Sequence, residues 1–590
     1  GPSLKGPAIV AAGPFLRSET SPSTMSAAVP RAAVISQSCP QQPAAGAGNI
    51  ETPGAVDTYT FTGTAGQKVF VNYVSAGNCG LNWRLIGPAN ATVFGSRGIC
   101  SDPGQFTLAT AGTYTLTVDT AATSSATGTY SFGITDVPVA QSFGYTVGNT
   151  VSNGVPAAGA GNIETPGAVD TYTFTGTAGQ KVFVDYITPS ACGLNWRLTG
   201  PANATVFASR GICSDPGQFT LATAGTYTIT VDTSTTSSAT GTYSFRITNV
   251  PGPQSFTYAV GNTVSNGVPA AGAGNIETPG AVDIYTFTAP AGQKVFVDYL
   301  TASSCYLNWR LMGPANAPVF ASRGICSDPG QLTLATAGTY ILTVDTPTTS
   351  ADTATYSFRI TNVPGPQSFT YAVGNTVSNG VPAAGAGNIE TPGAVDTYAF
   401  TGTAGQKVFV DYISATTCSF YWRLIGPANA TVFASRGICA DPGQLTLPAA
   451  GTYTLTVDTP PTSSTTGTYS FRITNVPGPQ AFGYTLGAQV SDGVPAAGAG
   501  NIETPGAVDT YTFTGAAGQK IFVDYISPSA CGLNWRLMGP ANATVFGSRG
   551  ICSDPGQFTL PTAGTYTLTV DTPATSANTG TYSFRITDVA

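Results

Sequence analysis

Apolar and polar residues alternate with a period of two along most of the chain. In residues 139–251, Tyr172 and Phe174 take one side of a run whose other side is Thr171 and Thr173. Val182, Val184 and Tyr186 repeat the pattern, as do Leu194, Trp196 and Leu198 against Asn195 and Arg197. Tyr227, Ile229 and Val231 follow, then Tyr243, Phe245 and Ile247. Alternation of this kind predicts half-buried strands. Turn-forming residues separate the runs: Gly176-Thr177-Ala178-Gly179, Gly200-Pro201-Ala202-Asn203, Asp215-Pro216-Gly217 and Ala224-Gly225. About eight or nine short strands per unit, with no helical period, predict a β-sandwich.

The pattern recurs at a constant interval. Asp57, Asp170, Asp283, Asp396 and Asp509 are equivalent, each 113 residues from the next. The chain therefore divides into an arm, 1–31, and five repeats: 32–138, 139–251, 252–364, 365–477 and 478–590. The fold expected is all-β: a tandem array of five jelly-roll-like or immunoglobulin-like sandwiches behind an extended N-terminal arm. A unit of this length is large enough for its own core, so the expectation is a string of separate beads. Short proline linkers such as Asn249-Val250-Pro251-Gly252-Pro253-Gln254 predict a stiff row of about 170 Å, at roughly 35 Å per domain. Repeats 2–5 open on an aromatic run such as Phe143 and Tyr145, whose counterparts in repeat 1 are Pro30 and Ala32. The first repeat is thus expected to lack part of its opening strand, leaving either a gap that accepts a strand from elsewhere or simply a weak edge.

Charge and cysteine narrow the function. Only 9% of residues are charged and the net charge is −7, which argues against nucleic acid as a partner. No run of about 18 apolar residues is present, so no membrane-spanning helix is expected. Ten of the 11 cysteines form pairs 21 positions apart: Cys79/Cys100, Cys192/Cys213, Cys305/Cys326, Cys418/Cys439 and Cys531/Cys552. A disulfide in each repeat is expected, and with it a secreted, cell-surface setting. Cys39 is left over, as an unpaired thiol or a link to another chain. With no histidine in the chain, Ser-His-Asp and Cys-His catalysis are excluded and no enzymatic activity is expected.

The order Asp170, Tyr172, Phe174, then Ala178-Gly179-Gln180, Trp196-Arg197-Leu198, Gly200-Pro201, Ala224-Gly225-Thr226-Tyr227, Val231-Asp232, and Gly241, Tyr243, Phe245 resembles the bacterial pre-peptidase C-terminal domain. The likeness covers most of each repeat. It implies a compact jelly-roll-like sandwich in a secreted protein, without catalysis of its own. Some members of that family bind calcium or matrix polymers. The chain differs in having no catalytic domain and in carrying one cysteine pair per repeat.

Four candidate sites follow. Glu164, Asp170 and Asp215, with Asp185, are a possible calcium set, although Asp185 is replaced by Asn72 in repeat 1. The alternative is that Asp215 starts a turn and Asp170 pairs with a base. Trp83, Trp196, Trp309, Trp422 and Trp535 would stack on sugars if exposed, but their alternation with leucines predicts core. Near them, Tyr306, Phe420 and Tyr421 break the repeat and are candidate surface contacts. The arm residues Pro7, Ala8, Ile9, Val10, Phe15 and Leu16 are expected to dock on a neighbouring copy as an added strand. The function expected is a structural subunit of an extracellular bacterial filament that polymerises head to tail and needs no cofactor. The alternatives are a monomeric stalk or adhesin, and a repeat protein that binds surface glycans or matrix.

Overall fold

A computed structural model describes residues 48–190, 192–529 and 531–589. The arm residues Pro7 to Leu16, together with Pro30, Ala32 and Cys39, lie outside the described residues. The described chain is all-β in repeating units, and its helical segments are single 3₁₀ turns at the Gly-Pro-Ala-Asn motifs.

Repeat 3 shows the plan. Its strands are β1 (Gln254–Thr257), β2 (Thr263–Val264), β3 (Asn275–Ile276), β4 (Asp283–Ala289), β5 (Gln293–Ala302), β6 (Asn308–Met312), β7 (Pro318–Gly324), β8 (Gly330–Leu334), β9 (Gly338–Asp345) and β10 (Ala354–Asn362). One sheet runs β1-β4-β9-β6-β7. The other runs β2-β10-β5-β8, with β3 also paired to β10. Neighbours are antiparallel except β1 and β4, which are parallel, Phe256 beside Tyr285. The expected strands are present. Two more, β2 and β3, are only two residues long and carry no alternation to read.

Both sheets contribute to one core. Tyr285, Phe287, Trp309, Leu311, Leu342 and Val344 come from the first, and Val295, Val297, Phe358 and Ile360 from the second. Repeats 4 and 5 build equivalent cores around Trp422 and Trp535. Burying a side chain of this size contributes roughly 1.5–3 kcal/mol, so the aromatic faces hold each unit together. Disulfides join Cys79–Cys100, Cys192–Cys213, Cys305–Cys326, Cys418–Cys439 and Cys531–Cys552, each closing the same loop beside the core tryptophan.

Repeat 1 differs at its edge. Among the described residues, Asp57–Gly63 has no parallel neighbour, and its sheet has four strands where repeats 2–5 have five. Tyr59 and Phe61 are accordingly half-buried, whereas Tyr172 and Phe174 are buried.

Separate beads are not what the fold gives. By its contacts the chain falls into two compact units. One runs to Gln180 and includes Tyr186–Ser214 and Leu221–Ile247. The other holds Lys181–Asp185, Asp215–Thr220 and everything from Thr248. In each unit, consecutive repeats are hydrogen-bonded to one another.

Candidate functional site: the face between repeats

The covered face begins with β5. Its core side is Val295 and Val297, which reach the repeat's own interior. Between them stands Phe296, on the opposite side of the strand, yet it is fully buried. Asp298 shares that outer side and is 4% exposed. The register sets Phe296 beside Gln331 of β8, and Asp298 beside Arg359 of β10. Arg359 donates to Asp298 at 3.2 Å, so the patch is one phenylalanine, one ion pair and one edge strand.

Repeat 4 provides the cover. Its loop Thr459 to Thr466 lies across the edge of β8, where the Gln331 N–H donates to the Pro461 carbonyl at 2.7 Å. Gly330 takes a left-handed φ of +85°, and a Cβ there would collide with the same carbonyl oxygen. Glycine is therefore required for both the conformation and the approach. Ser464 of that loop stands close to Asp298. Burial raises the Asp298 carboxyl above its usual range, and the nearby Asp328 adds to the rise. On the other flank, the Gln331 amide and Val363 close on Gly393 of repeat 4, where a Cβ would stand 3.3 Å from Oε1 and 3.4 Å from the valine.

The contact recurs. Gln105 donates to the Thr235 carbonyl at 2.8 Å, Gln218 to Thr348 at 2.9 Å, and Gln444 to Ala574 at 2.8 Å. Gly104, Gly217 and Gly443 each leave room for that oxygen, and Phe70, Phe183 and Phe409 are fully buried like Phe296. The Asn72 departure in repeat 1 now has a partner: its register neighbour is Gly133, where the later repeats carry arginine. Acid and base are lost together, and the phenylalanine and glycine remain.

The possible calcium set of Glu164, Asp170 and Asp215, with Asp185, does not gather into one cluster. Among the described residues, no three acidic or cysteine side chains gather where a metal ion would sit. Asp170 and its counterparts are buried under tyrosines. In repeat 3, Tyr356 donates to Asp283, the Tyr285 and Tyr356 hydroxyls meet at 2.8 Å, and the Gly274 N–H donates to Tyr285 at 2.8 Å. Burial pushes Asp170, Asp283, Asp396 and Asp509 up to about 6, against the lowering by the tyrosine hydroxyl, and Glu164 or its equivalent raises them further. Glu164 is exposed, within 3.5 Å of the Gln141 amide. The Asp328 carboxylate, equivalent to Asp215, accepts the Tyr299 N–H at 2.6 Å and so braces a turn. The pairing partner read for Asp170 is thus tyrosine in place of a base.

All five tryptophans are fully buried, as their alternation with leucines predicted, so none offers a face to a sugar. Of the variable loop residues, Phe420 is core, while Tyr306 is 69% and Tyr421 38% exposed. Tyr421 opens onto a cleft of about 500 Å³ at the junction of repeats 3 and 4, with Arg423, Asp458, Pro460 and Gln331.

The sequence reading passed over the face itself. One signal for it stood in Lys-Val-Phe-Val, where three apolar residues in a row interrupt the alternation and mark a strand covered on both sides. In comparison with known proteins, no family model and no curated protein matches the chain.

Proposed function

We propose that the chain is a structural subunit of an extracellular filament on a bacterial surface, assembling with copies of itself. The observation that carries this reading is the recurring contact, in which a loop of one repeat seats on the strand face of the one before. A surface that binds its own kind four times in one chain suits serial assembly, and heterologous contacts that do not close extend into fibres. The five disulfides fit an oxidising compartment. Jelly-roll-like or immunoglobulin-like character, kinship with the pre-peptidase domain, lack of catalysis, and docking of the arm are parts of the same proposal.

The test is electron microscopy of the protein beside a version without residues 1–31. Filaments that disappear on deletion support assembly through the arm. Isolated particles in both samples at all concentrations overturn the filament reading.

The cleft beside Tyr421 favours a second reading, binding of surface or matrix polysaccharide, since an exposed aromatic next to an arginine and an aspartate suits a sugar ring. It predicts titration by a soluble polysaccharide that Tyr421→Ala abolishes.

A further inference from the structure

We infer that Asn90, Asn203, Asn429 and Asn542 are attachment sites for N-linked glycan, and that repeat 3 stays bare at the equivalent Asn316.

The sequence narrows the candidates first. Attachment to an asparagine amide needs serine or threonine two places on, with no proline between. Asn90-Ala91-Thr92, Asn203-Ala204-Thr205, Asn429-Ala430-Thr431 and Asn542-Ala543-Thr544 meet that need. No other asparagine in the chain does, and repeat 3 reads Asn316-Ala317-Pro318.

The fold puts all four at one kind of place. In repeat 4 the turn Pro427–Asn429 joins the strands Tyr421–Ile425 and Thr431–Gly437. The Ala430 N–H donates to the Pro427 carbonyl at 3.2 Å, and the Gly426 N–H to the Ala430 carbonyl at 2.7 Å. Ala428 and Asn429 take φ of 54° and 61°, the left-handed pair that closes a tight hairpin. The backbone therefore holds the turn, and the Asn429 amide makes no hydrogen bond among the described residues. Asn429, Ala430 and Thr431 are all exposed. The strand Thr431–Gly437 is the outermost of its sheet, which keeps the tip clear of other strands of that sheet. Repeat 4 lies between repeats 3 and 5 in one compact unit, so its open tip is that of a repeat with both neighbours in place. Asn90, Asn203 and Asn542 match it, exposed and with φ of 61°, 58° and 59°.

Repeat 3 separates what the turn needs from what attachment needs. Ala315 and Asn316 make the same turn, at φ of 55° and 59°, although Pro318 stands in the place of the threonine. Proline is tolerated there because it is the first residue of the edge strand β7. Asparagine thus serves the turn in all five repeats. The threonine is not needed for it, and its hydroxyl makes no hydrogen bond among the described residues.

The donor is an oligosaccharide carried on a lipid diphosphate, handed over by a transferase. The amide nitrogen attacks C1 of the first sugar, and the N–C1 bond forms as the bond from C1 to the diphosphate oxygen breaks. The electron pair of that bond leaves with the diphosphate, the nitrogen gives up one proton to a base of the transferase, and nothing is oxidised or reduced.

The test is peptide mass spectrometry on the full chain purified from the organism that makes it. Arginine flanks each tip, so trypsin releases residues 85–97, 198–210, 311–323, 424–436 and 537–549 as five peptides of different sequence. Sugar is expected on the asparagine of all but 311–323. Thr431→Ala keeps the turn and the asparagine and is expected to leave 424–436 bare. Pro318→Thr is expected to place sugar on Asn316. Unmodified masses for all four peptides overturn the proposal. So does sugar on 424–436 that survives Asn429→Gln, which assigns it to another residue, or that survives Thr431→Ala. A Pro318→Thr chain that stays bare at Asn316 while the other tips are modified overturns the account of repeat 3.

Discussion

Repeats 3 and 5 have nearly the same sequence, the same sheets and equivalent cores, yet the outer side of the fifth strand is buried in one and open in the other. Phe296 is sealed and Phe522 is not, although each is flanked by core residues in the same register. The Asp–Arg pair follows suit, at 3.2 Å and 5% carboxylate exposure in repeat 3 against 3.3 Å and 30% in repeat 5. Burial at this face is thus a property of having a neighbour and not of the strand. Two identical side chains should accordingly respond differently to the same substitution.

The largest difference is expected at the phenylalanine. Phe296→Ala removes a fully buried ring and should cost about 3–5 kcal/mol. Phe522→Ala should cost about 1.5 kcal/mol or less, since part of the ring is already in water. Hydrogen exchange followed peptide by peptide reads both, and equal losses of protection would refute the distinction. Removing a cysteine pair provides the opposite control. The loops are the same length in both repeats, so Cys305→Ser with Cys326→Ser and Cys531→Ser with Cys552→Ser should each cost about 3 kcal/mol. Unequal costs would mean that the repeats differ in more than their cover.

Next is the glycine. Gly330→Ala should cost about 2 kcal/mol or more, from left-handed strain plus collision with the Pro461 carbonyl. Gly556→Ala has the strain alone, about 1 kcal/mol. The ion pair gives a smaller gap: Asp298→Ala should lose about 1–3 kcal/mol and Asp524→Ala less than about 0.5 kcal/mol, because solvent screens the exposed pair.

Acidity should move both repeats alike. Asp283 and Asp509 are raised to about 6 by burial under their tyrosines, from an ordinary value of 3.8. Between those values the folded state holds more protons than the unfolded one, so stability falls as pH rises through the window. The melting temperature should therefore rise on going from pH 7 to pH 5, and Asp283→Asn with Asp396→Asn and Asp509→Asn should flatten the slope. A melting temperature that falls over that interval would contradict the assignment.

Much was legible in the chain. Alternation around Tyr172, Phe174, Trp196 and Tyr243 located the strands and their inward sides, because a pleated strand places every second residue on one face. A constant spacing of 21 marked the cysteine pairs, and a period of 113 marked the repeats. The carboxylates were harder. Asp170, Glu164 and Asp215 are close in sequence pattern to a ligand set, but whether they converge depends on which strands meet, and Asp170 was taken by Tyr172 and Tyr243 instead.

The sequence by itself determined the all-β class, the repeat, the disulfide spacing and the buried tryptophans, since each rests on residues near one another or on a fixed interval. Tertiary structure alone decided that β1 runs parallel to β4, that Asp283 lies beneath two tyrosines, and that Gly330 and Gln331 form a seat for the next repeat. Those features arise where segments far apart in the chain, and in different repeats, come together. Near-identical strands in repeats 3 and 5 show the reason: a strand's sequence sets which side faces its own core, while the burial of its other side depends on what lies against it.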